Sequence, residues 1–375
     1  MKIRAHLLRA FIHHEDKTIC KNFTSHAIRE AIDKYLLYEI HLNMLKLFVP
    51  SFIIALFSVL PMEGKTRIDG LVNPDATKET KALYKKLRKA YGKECLTATM
   101  AEVNWNNTNA AKVRTLTGKF PAINCYDSIH LHFSPSNWIN YDDATPVKEW
   151  HDKGGIVSAM WHWNVPMAEG STERAFYTKQ HEKPNLFRPS NCVKEGTWER
   201  KVFLEDMKKV AGHLKSLQEM HIPVLWRPFH EAKGNYDVYE KGKGAWFWWG
   251  SEGAEPLKAM WIEMFEYFKS EGINNLIWIF TDIPDHLDRS WYPGDEYVDM
   301  VGVDIYNKKK PEDMAKTYND LTLLYPGKMC TLSECGSVCN ISEQWNAGAR
   351  WLWAMPWYGK GHATDEWWLD AQNVY

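Results

Sequence analysis

The stretch Pro223-Val224-Leu225-Trp226-Arg227-Pro228-Phe229-His230-Glu231 decides how the rest of the chain is read. It is a short, β-prone apolar run that finishes on Arg, His and Glu. Burying ionisable groups without partners is costly, so a strand of this kind is expected where a sheet opens into a polar cleft. A helix cap or a structural ion pair would use the same residues. The surrounding segments have to separate the two readings.

Outward from that stretch the chain alternates apolar runs with amphipathic ones. Strands are predicted over 95–100, 120–127, 154–163, 223–231, 276–282, 298–307, 328–336 and 350–357. Helices are predicted over 77–91, 145–153, 199–220, 256–271 and 311–325, where apolar residues recur at i, i+3 and i+4, as in Trp261, Phe265 and Phe268. Strands alternating with helices predict an α/β fold, specifically a (β/α)8 TIM barrel. A doubly wound open sheet would carry a Gly-rich phosphate or dinucleotide loop after its first strand, and none is present. Residues 66–375 contain no repeat, low-complexity tract or linker and read as one catalytic domain.

Of the 375 residues 45% are hydrophobic, enough for a large core, and the net charge of −1 carries no basic footprint for nucleic acid. Nothing in the composition calls for an oligomer, and a monomer is expected. The 19 Trp, with 17 Tyr and 15 Phe, are the unusual feature. Many sit in polar company, as in Asn104-Trp105-Asn106 and Trp161-His162-Trp163. An indole face stacks on the apolar face of a sugar ring, so this excess points towards carbohydrate. The seven cysteines include no Cys-x-x-Cys pair and form no disulfide framework, which leaves one or two bridges open.

Residues 1–43 carry no usable motif. From Met44 a short basic start precedes the apolar run Leu47–Leu60, the layout of a secretory signal. The run is too short for a comfortable membrane span. Translation is therefore expected to start at Met44, with 1–43 an upstream extension and 44–65 a signal peptide that sends the chain to the periplasm or the medium. An ordinary buried helix is the other reading of the same run.

A barrel's chemistry lies at the C-terminal ends of its strands. Those ends hold Tyr126-Asp127, Trp161-His162-Trp163, Arg227, His230, Glu231, Asp282, Asp304, Tyr306, Glu334, Trp353 and Trp357. Glu231 and Glu334 stand out, on strands four and seven. Paired carboxylates about 5–5.5 Å apart are what retaining glycoside hydrolysis needs, one as nucleophile and one as acid/base. Arg227 and Tyr306 are reasonable donors to keep the nucleophile ionised.

The segment Trp226-Arg227-Pro228-Phe229-His230-Glu231, with Ala232-Lys233-Gly234 after it and Trp246-Phe247-Trp248-Trp249-Gly250 further on, resembles glycoside hydrolase family 26, whose members are mainly β-mannanases. The likeness runs from Asn104-Trp105-Asn106 through Met160–Pro166 to Trp353–Gly359. It implies Glu231 as acid/base, Glu334 as nucleophile, and His162 and His230 in the sugar site before the cleaved bond. It further implies that Arg227 supports the carboxylates, that Tyr306 bonds the nucleophile and that Asp304 orients His230. Trp246 and Trp357 become aromatic platforms, and Trp161 supports the site. The expected substrate is mannan, galactomannan or glucomannan; mixed-linkage glucan, β-1,3-xylan or a non-catalytic sugar-binding barrel are the alternatives.

Two departures bear on specificity. The segment 235–244 intervenes before Trp246, and Met100-Ala101-Glu102 stands where many members have Gly-His. The loops 166–198 and 235–245 are expected to shape the ends of the cleft. No metal and no cofactor are expected: the His-Glu-x-x-His spacing is absent, and His130-Leu131-His132, which read as a strand puts both rings on one face, is expected at the surface. Read by alternation, half of the Trp246–Trp249 run faces the core.

Overall fold

In the computed structural model, parallel strands β1 (Leu96–Met100), β2 (Ile123–Asp127), β3 (Ile156–Met160), β4 (Val224–Arg227), β5 (Leu276–Asp282), β6 (Met300–Tyr306), β7 (Met329–Gly336) and β8 (Trp353–Pro356) close into a barrel. Closure is made by β8 on β1, with Leu96 opposite Trp353. The structure describes residues 70–102, 105–238, 244–285, 287–359 and 361–374. The expected extension and signal peptide lie outside them, as do Cys20 and Asn104. The fold is the expected (β/α)8 barrel.

The helices are α1 (Lys78–Ala90), α2 (Thr108–Thr117), α3 (Thr145–Asp152), α4 (Trp198–Glu219), α5 (Ala254–Ser270), α6 (Pro311–Leu324), α7 (Ile341–Ala347) and α8 (Asp365–Val374). The first lies before β1, and among the described residues no helix bridges β5 and β6. Strands buried on both faces must be apolar almost throughout. One face packs inside the barrel, where Met100, Leu225, Ile279, Met300 and Met329 meet. The other packs under the helices: α4 buries Phe203, Met207, Val210, Leu214 and Leu217 at helical spacing, and Thr197 caps it by accepting from the Arg200 amide at 3.2 Å. Helices α2, α7 and α8 escape a periodicity reading. The mostly polar α2 buries only Ala110 and Val113, and α7 has seven residues, opened by a capping box between Asn340 and Glu343.

Three local expectations change. Strand β4 stops at Arg227 rather than Glu231. Pro228 cannot donate to a ladder, and Phe229 and Glu231 take left-handed φ values of 50° and 51°, so the acid rides on a turn beyond the strand. That turn leans on β5 through the Glu231 amide, which donates to the Thr281 carbonyl at 3.2 Å. The Trp246–Trp249 run is no strand: Trp248–Gly250 forms a 3-10 turn, and Phe247, Trp248 and Trp249 are all buried while Trp246 is 38% exposed. His130-Leu131-His132 enters a 3-10 turn instead of a strand, so its two rings do not share a sheet face. The six described cysteines are buried free thiols.

The tryptophan turn is a support for the Glu231 turn. Trp249 Nε1 donates to the His230 carbonyl at 3.0 Å, and the Trp246 amide donates to the Gly234 carbonyl at 3.0 Å. Gly250 makes this approach possible, since a Cβ there would lie 1.7 Å from the Ala232 carbonyl oxygen. Gly250→Ala is therefore expected to push the two turns apart and to destabilise the fold by about 1–3 kcal/mol, the usual range for overpacking. Denaturant unfolding checks this; an unchanged midpoint would mean that the two backbones are not in contact.

Candidate active site

Three strand ends converge on a buried cluster of charge. Arg227, at the end of β4, donates from Nη1 to Asp304 Oδ2 at 3.0 Å and from Nη2 to Glu334 Oε1. Asp304 comes from β6 and Glu334 from β7. Tyr306, two residues past Asp304 on the same face of β6, donates its hydroxyl to Glu334 Oε2 at 2.9 Å. Glu231 shares a hydrogen bond with Asp304. Carboxylate oxygens of Glu231, Asp304 and Glu334 all lie within 4.8 Å of one another.

Glu334 reaches the barrel interior because β7 carries one extra residue. Opposite β6, Val303 pairs with Leu332 but Asp304 pairs with Glu334. Regular alternation from Leu332 would otherwise send Glu334 to the helix side with it. Ser333 also points inward, bonding Thr331 Oγ1 at 2.7 Å, and Gly302 leaves the space: a Cβ there would meet Ser333 Oγ at 2.0 Å.

The electrostatics follow from three carboxyls sharing one guanidinium in a dry setting. Burial, and then the charge of Glu334, push the Glu231 carboxyl up to about 8, against the pull of Arg227. Burial and Glu334 likewise hold Asp304 well above the usual carboxylate range. Burial opposes the charge of Arg227, but Asp304 and Glu334 outweigh it and fix the guanidinium more firmly in its charged form. Burial and the same Glu334 charge raise Tyr306, which stays a phenol and a donor. The cluster therefore holds a proton on Glu231 at neutral pH while offering Glu334 two donors. Three carboxylates are also a donor set that a divalent cation accepts, but here the positive charge inside the cluster is supplied by Arg227.

Beside the carboxylates sits a histidine pair. Asp127, at the end of β2, accepts from the His162 backbone amide at 2.9 Å and holds His162 Nδ1 at 2.6 Å. His162 Nε2 faces His230 Nε2 at 3.2 Å. Burial works against a charged His162, yet Asp127 outweighs it and raises its pKa. Burial, then the neighbouring His162, drives His230 well below the ordinary range. His162 is thus the donor of the pair and His230 the neutral acceptor. Asp304 does not orient His230, because its oxygens are taken by Arg227 and Glu231. The aspartate that orients a histidine here is Asp127.

Glu231, Glu334, Tyr306, His162 and His230 line a cleft of about 440 Å³, together with Trp246, Phe247, Trp357, Tyr358, Phe176 and Tyr177. Trp246 lies beside Glu231 despite the residues inserted before it, with its ring over Gly234, where a Cβ would be 2.2 Å away. On the far side of Trp246 a second cavity of about 480 Å³ is walled by Lys233, Tyr236, Asp285 and Lys308. Trp161 is elsewhere: it is buried and stacks on Trp163 at 3.6 Å, so it packs the wall behind the cleft. Phe176 and Tyr177 were invisible to periodicity. They come from 166–198, which folds into two short hairpins, Val165–Pro166 with Arg174–Ala175 and Lys179–Gln180 with Lys183–Pro184. A bridge from Tyr177 to Phe247 pins this segment over the cleft. Asp127 carried a signal, a charged residue ending a β-prone run, but no partner was readable for it.

Comparison with known proteins agrees with this arrangement. The Glycosyl hydrolase family 26 model matches residues 72–372. A mannan endo-1,4-beta-mannosidase of Thermothelomyces thermophilus is 34% identical over 297 residues, 76% of this chain and 56% of the relative. Mannan endo-1,4-beta-mannosidase B of a Piromyces species is 34% identical over 313 residues, 80% of this chain and 50% of the relative. The chain thus spans about half the length of the curated relatives it matches. Among solved structures, the GH26 domain of a Prevotella bryantii endo-beta-mannanase/endo-beta-glucanase superposes with a TM-score of 0.75 at 42% identity, covering 81% of this chain and 96% of that one. A beta-mannanase from a symbiotic protist of the termite Reticulitermes speratus, complexed with gluco-manno-oligosaccharide, gives 0.70 at 28% identity, with coverage of 82% and 94%. A barrel with its acids at the ends of β4 and β7, matched along nearly the whole of its described length, belongs to glycoside hydrolase family 26.

Proposed function

We propose that this chain is an exported, endo-acting β-mannanase that cleaves β-1,4-mannosidic bonds with retention. One observation carries the reading: Glu231 and Glu334 face one cleft with oxygens within 4.8 Å, one protonated and the other held by two donors. Retaining enzymes keep their carboxyls about 5–5.5 Å apart, whereas inverting ones leave about 6.5–9.5 Å for a water. The substrate is carried over from the relatives, which are named mannan endo-1,4-beta-mannosidases.

In the first step Glu334 attacks the anomeric carbon while Glu231 gives its proton to the glycosidic oxygen. The carbon–oxygen bond breaks, an ester to Glu334 forms and the leaving chain departs with its new hydroxyl. Arg227 and Tyr306 hold the nucleophile in line for this attack. Esterification removes the charge of Glu334, one of the two causes that raise Glu231. Glu231, now a carboxylate, takes a proton from water as that water's oxygen attacks the anomeric carbon. The ester opens and both groups return to their starting states. His162 and His230 line the sugar site in front of the cleaved bond, and Trp357 lies under it. Two cavities meeting at Trp246, beside Glu231, leave room for chain on both sides of the bond, which supports internal cleavage.

On mannan, kcat/KM is expected to fall as pH rises through about 8, where Glu231 loses the proton it must donate. With a dinitrophenyl glycoside, whose leaving group needs no acid, the fall in the first step is expected to disappear. A basic limb that is the same for both substrates would assign it to another group.

Glu334→Ala and Glu231→Ala are each expected to lower turnover of mannan by about 10³-fold or more, with circular dichroism showing the fold intact. Azide is expected to rescue Glu231→Ala on the activated glycoside. NMR of the first product of the unaltered enzyme should give the β anomer. An α anomer formed first, or full activity in either variant, would refute the assignment. Mannan is to be run beside lichenan and β-1,3-xylan, and hydrolysis of those with mannan untouched would transfer the substrate.

Export rests on the composition of Met44–Leu60. Intact mass and N-terminal sequencing of secreted protein are expected to start beyond residue 60. A mature chain that retains residues 1–43 would overturn this part of the proposal.

A further inference from the structure

The loop between β2 and α3 carries an exposed aromatic cluster that the site described above does not use. Phe133 is 51% and Trp138 55% exposed. The rings support one another at their edges: Trp138 meets His130 at 5.0 Å and 74° and Phe133 at 5.6 Å and 51°. Neither neighbour lies parallel on the indole. Exposed apolar groups gathered in one patch mark a binding surface more often than isolated ones do.

The loop is also held still. Leu131, Ile139 and Tyr141 are buried beneath it. The Tyr141 hydroxyl donates to the Asp127 carbonyl at 2.8 Å and accepts from the His130 amide at 3.1 Å, while the Tyr141 amide donates to Ser134 Oγ at 2.9 Å. At its start Ile129 lines the cleft, and its carbonyl accepts from Asn164 Nδ2 at 2.9 Å. The aromatic cluster is therefore continuous with the cleft wall and tied to the residue that holds His162. A mobile loop with the same side chains would lose that advantage in ordering entropy on binding.

We propose that Phe133 and Trp138 form a second glycan-binding surface, which takes the part of a β-linked hexopyranose chain that leaves the cleft past Ile129. A cleft of about 440 Å³ is at the small end for ligand sites and admits only a short run of a polymer. The chain must continue over the rim, and the ring C–H faces of a neutral hexose match an open indole and phenyl surface. Partial burial lowers both His130 and His132, so the cluster presents neutral rings near pH 7, as an uncharged polysaccharide requires. The inference rests on the mannanase reading for the identity of the polymer, but not for the existence of the surface.

The test is the double variant Phe133→Ala/Trp138→Ala in the full chain. On long-chain mannan, kcat/KM is expected to fall about fivefold to tenfold, whereas on mannotetraose it stays within twofold. In the Glu334→Gln background the double change should also reduce retardation in a native gel cast with mannan. Equal losses on polymer and tetrasaccharide, or no loss on either, would overturn the proposal. So would a sedimentation result in which the parent is a dimer that the double variant splits, because the cluster would then be an interface between copies. If the parent cleaves lichenan instead of mannan, the mannanase reading fails alone. The same polymer-to-oligosaccharide ratio, measured on the polysaccharide that is cleaved, still decides the surface.

Discussion

The site depends on Arg227 sitting almost without water between Asp304 and Glu334. A buried guanidinium forfeits its hydration, and only close carboxylates return it. Three carboxyls around one cation leave an excess of negative charge, so the cluster relieves itself by keeping protons. That constraint divides labour between chemically identical side chains: Glu334 receives the donors and Glu231 the proton. Removing Arg227 would leave three buried acids with no counter-charge, and both the ionised and the protonated partner would lose their setting.

Two backbone irregularities serve this arrangement. The extra residue in β7 turns Glu334 inward out of phase with its strand, and the left-handed turn after β4 lifts Glu231 over the cluster. Each is supported from behind, β7 by the space at Gly302 and the turn by Gly250 and Trp249. Backbone conformations of this kind persist only where the surroundings over-determine them. The tryptophan-rich segment that first suggested sugar stacking therefore has a second duty. Trp248 and Trp249 brace it from behind, and Trp246 and Phe247 face the cleft.

Much of this was legible from residue order. Strand and helix periods gave the barrel, and strand ends that finish on charge gave Glu231, Glu334, Arg227, Tyr306 and the two histidines. What was not legible is pairing across the mouth. Alternation puts Asp304 and Tyr306 on one face of β6, but which neighbour each meets depends on how Arg227 crosses the barrel from β4. Asp304 was accordingly expected on His230, which pairs instead with His162. Phe176 and Tyr177 lie in a segment without period, positioned by a single bridge to Phe247, and no local pattern announces such a contact.

The histidine pair follows the same logic as the carboxylates at lower charge. Asp127 fixes one ring as a donor, and that charge, added to burial, empties its neighbour of its proton. His230 is therefore an acceptor beside an acid that holds a proton, and its Nδ1 is buried without a hydrogen-bond partner. Glu231 and Tyr306 face the cleft beside it, and a sugar hydroxyl can both give and accept a hydrogen bond. Charge differences set up by Asp127 and Arg227 thus leave the mouth with a graded row of donors and acceptors, from Tyr306 through Glu231 to His230. Such a row favours a ligand made of hydroxyls and carries no net demand for a charged one.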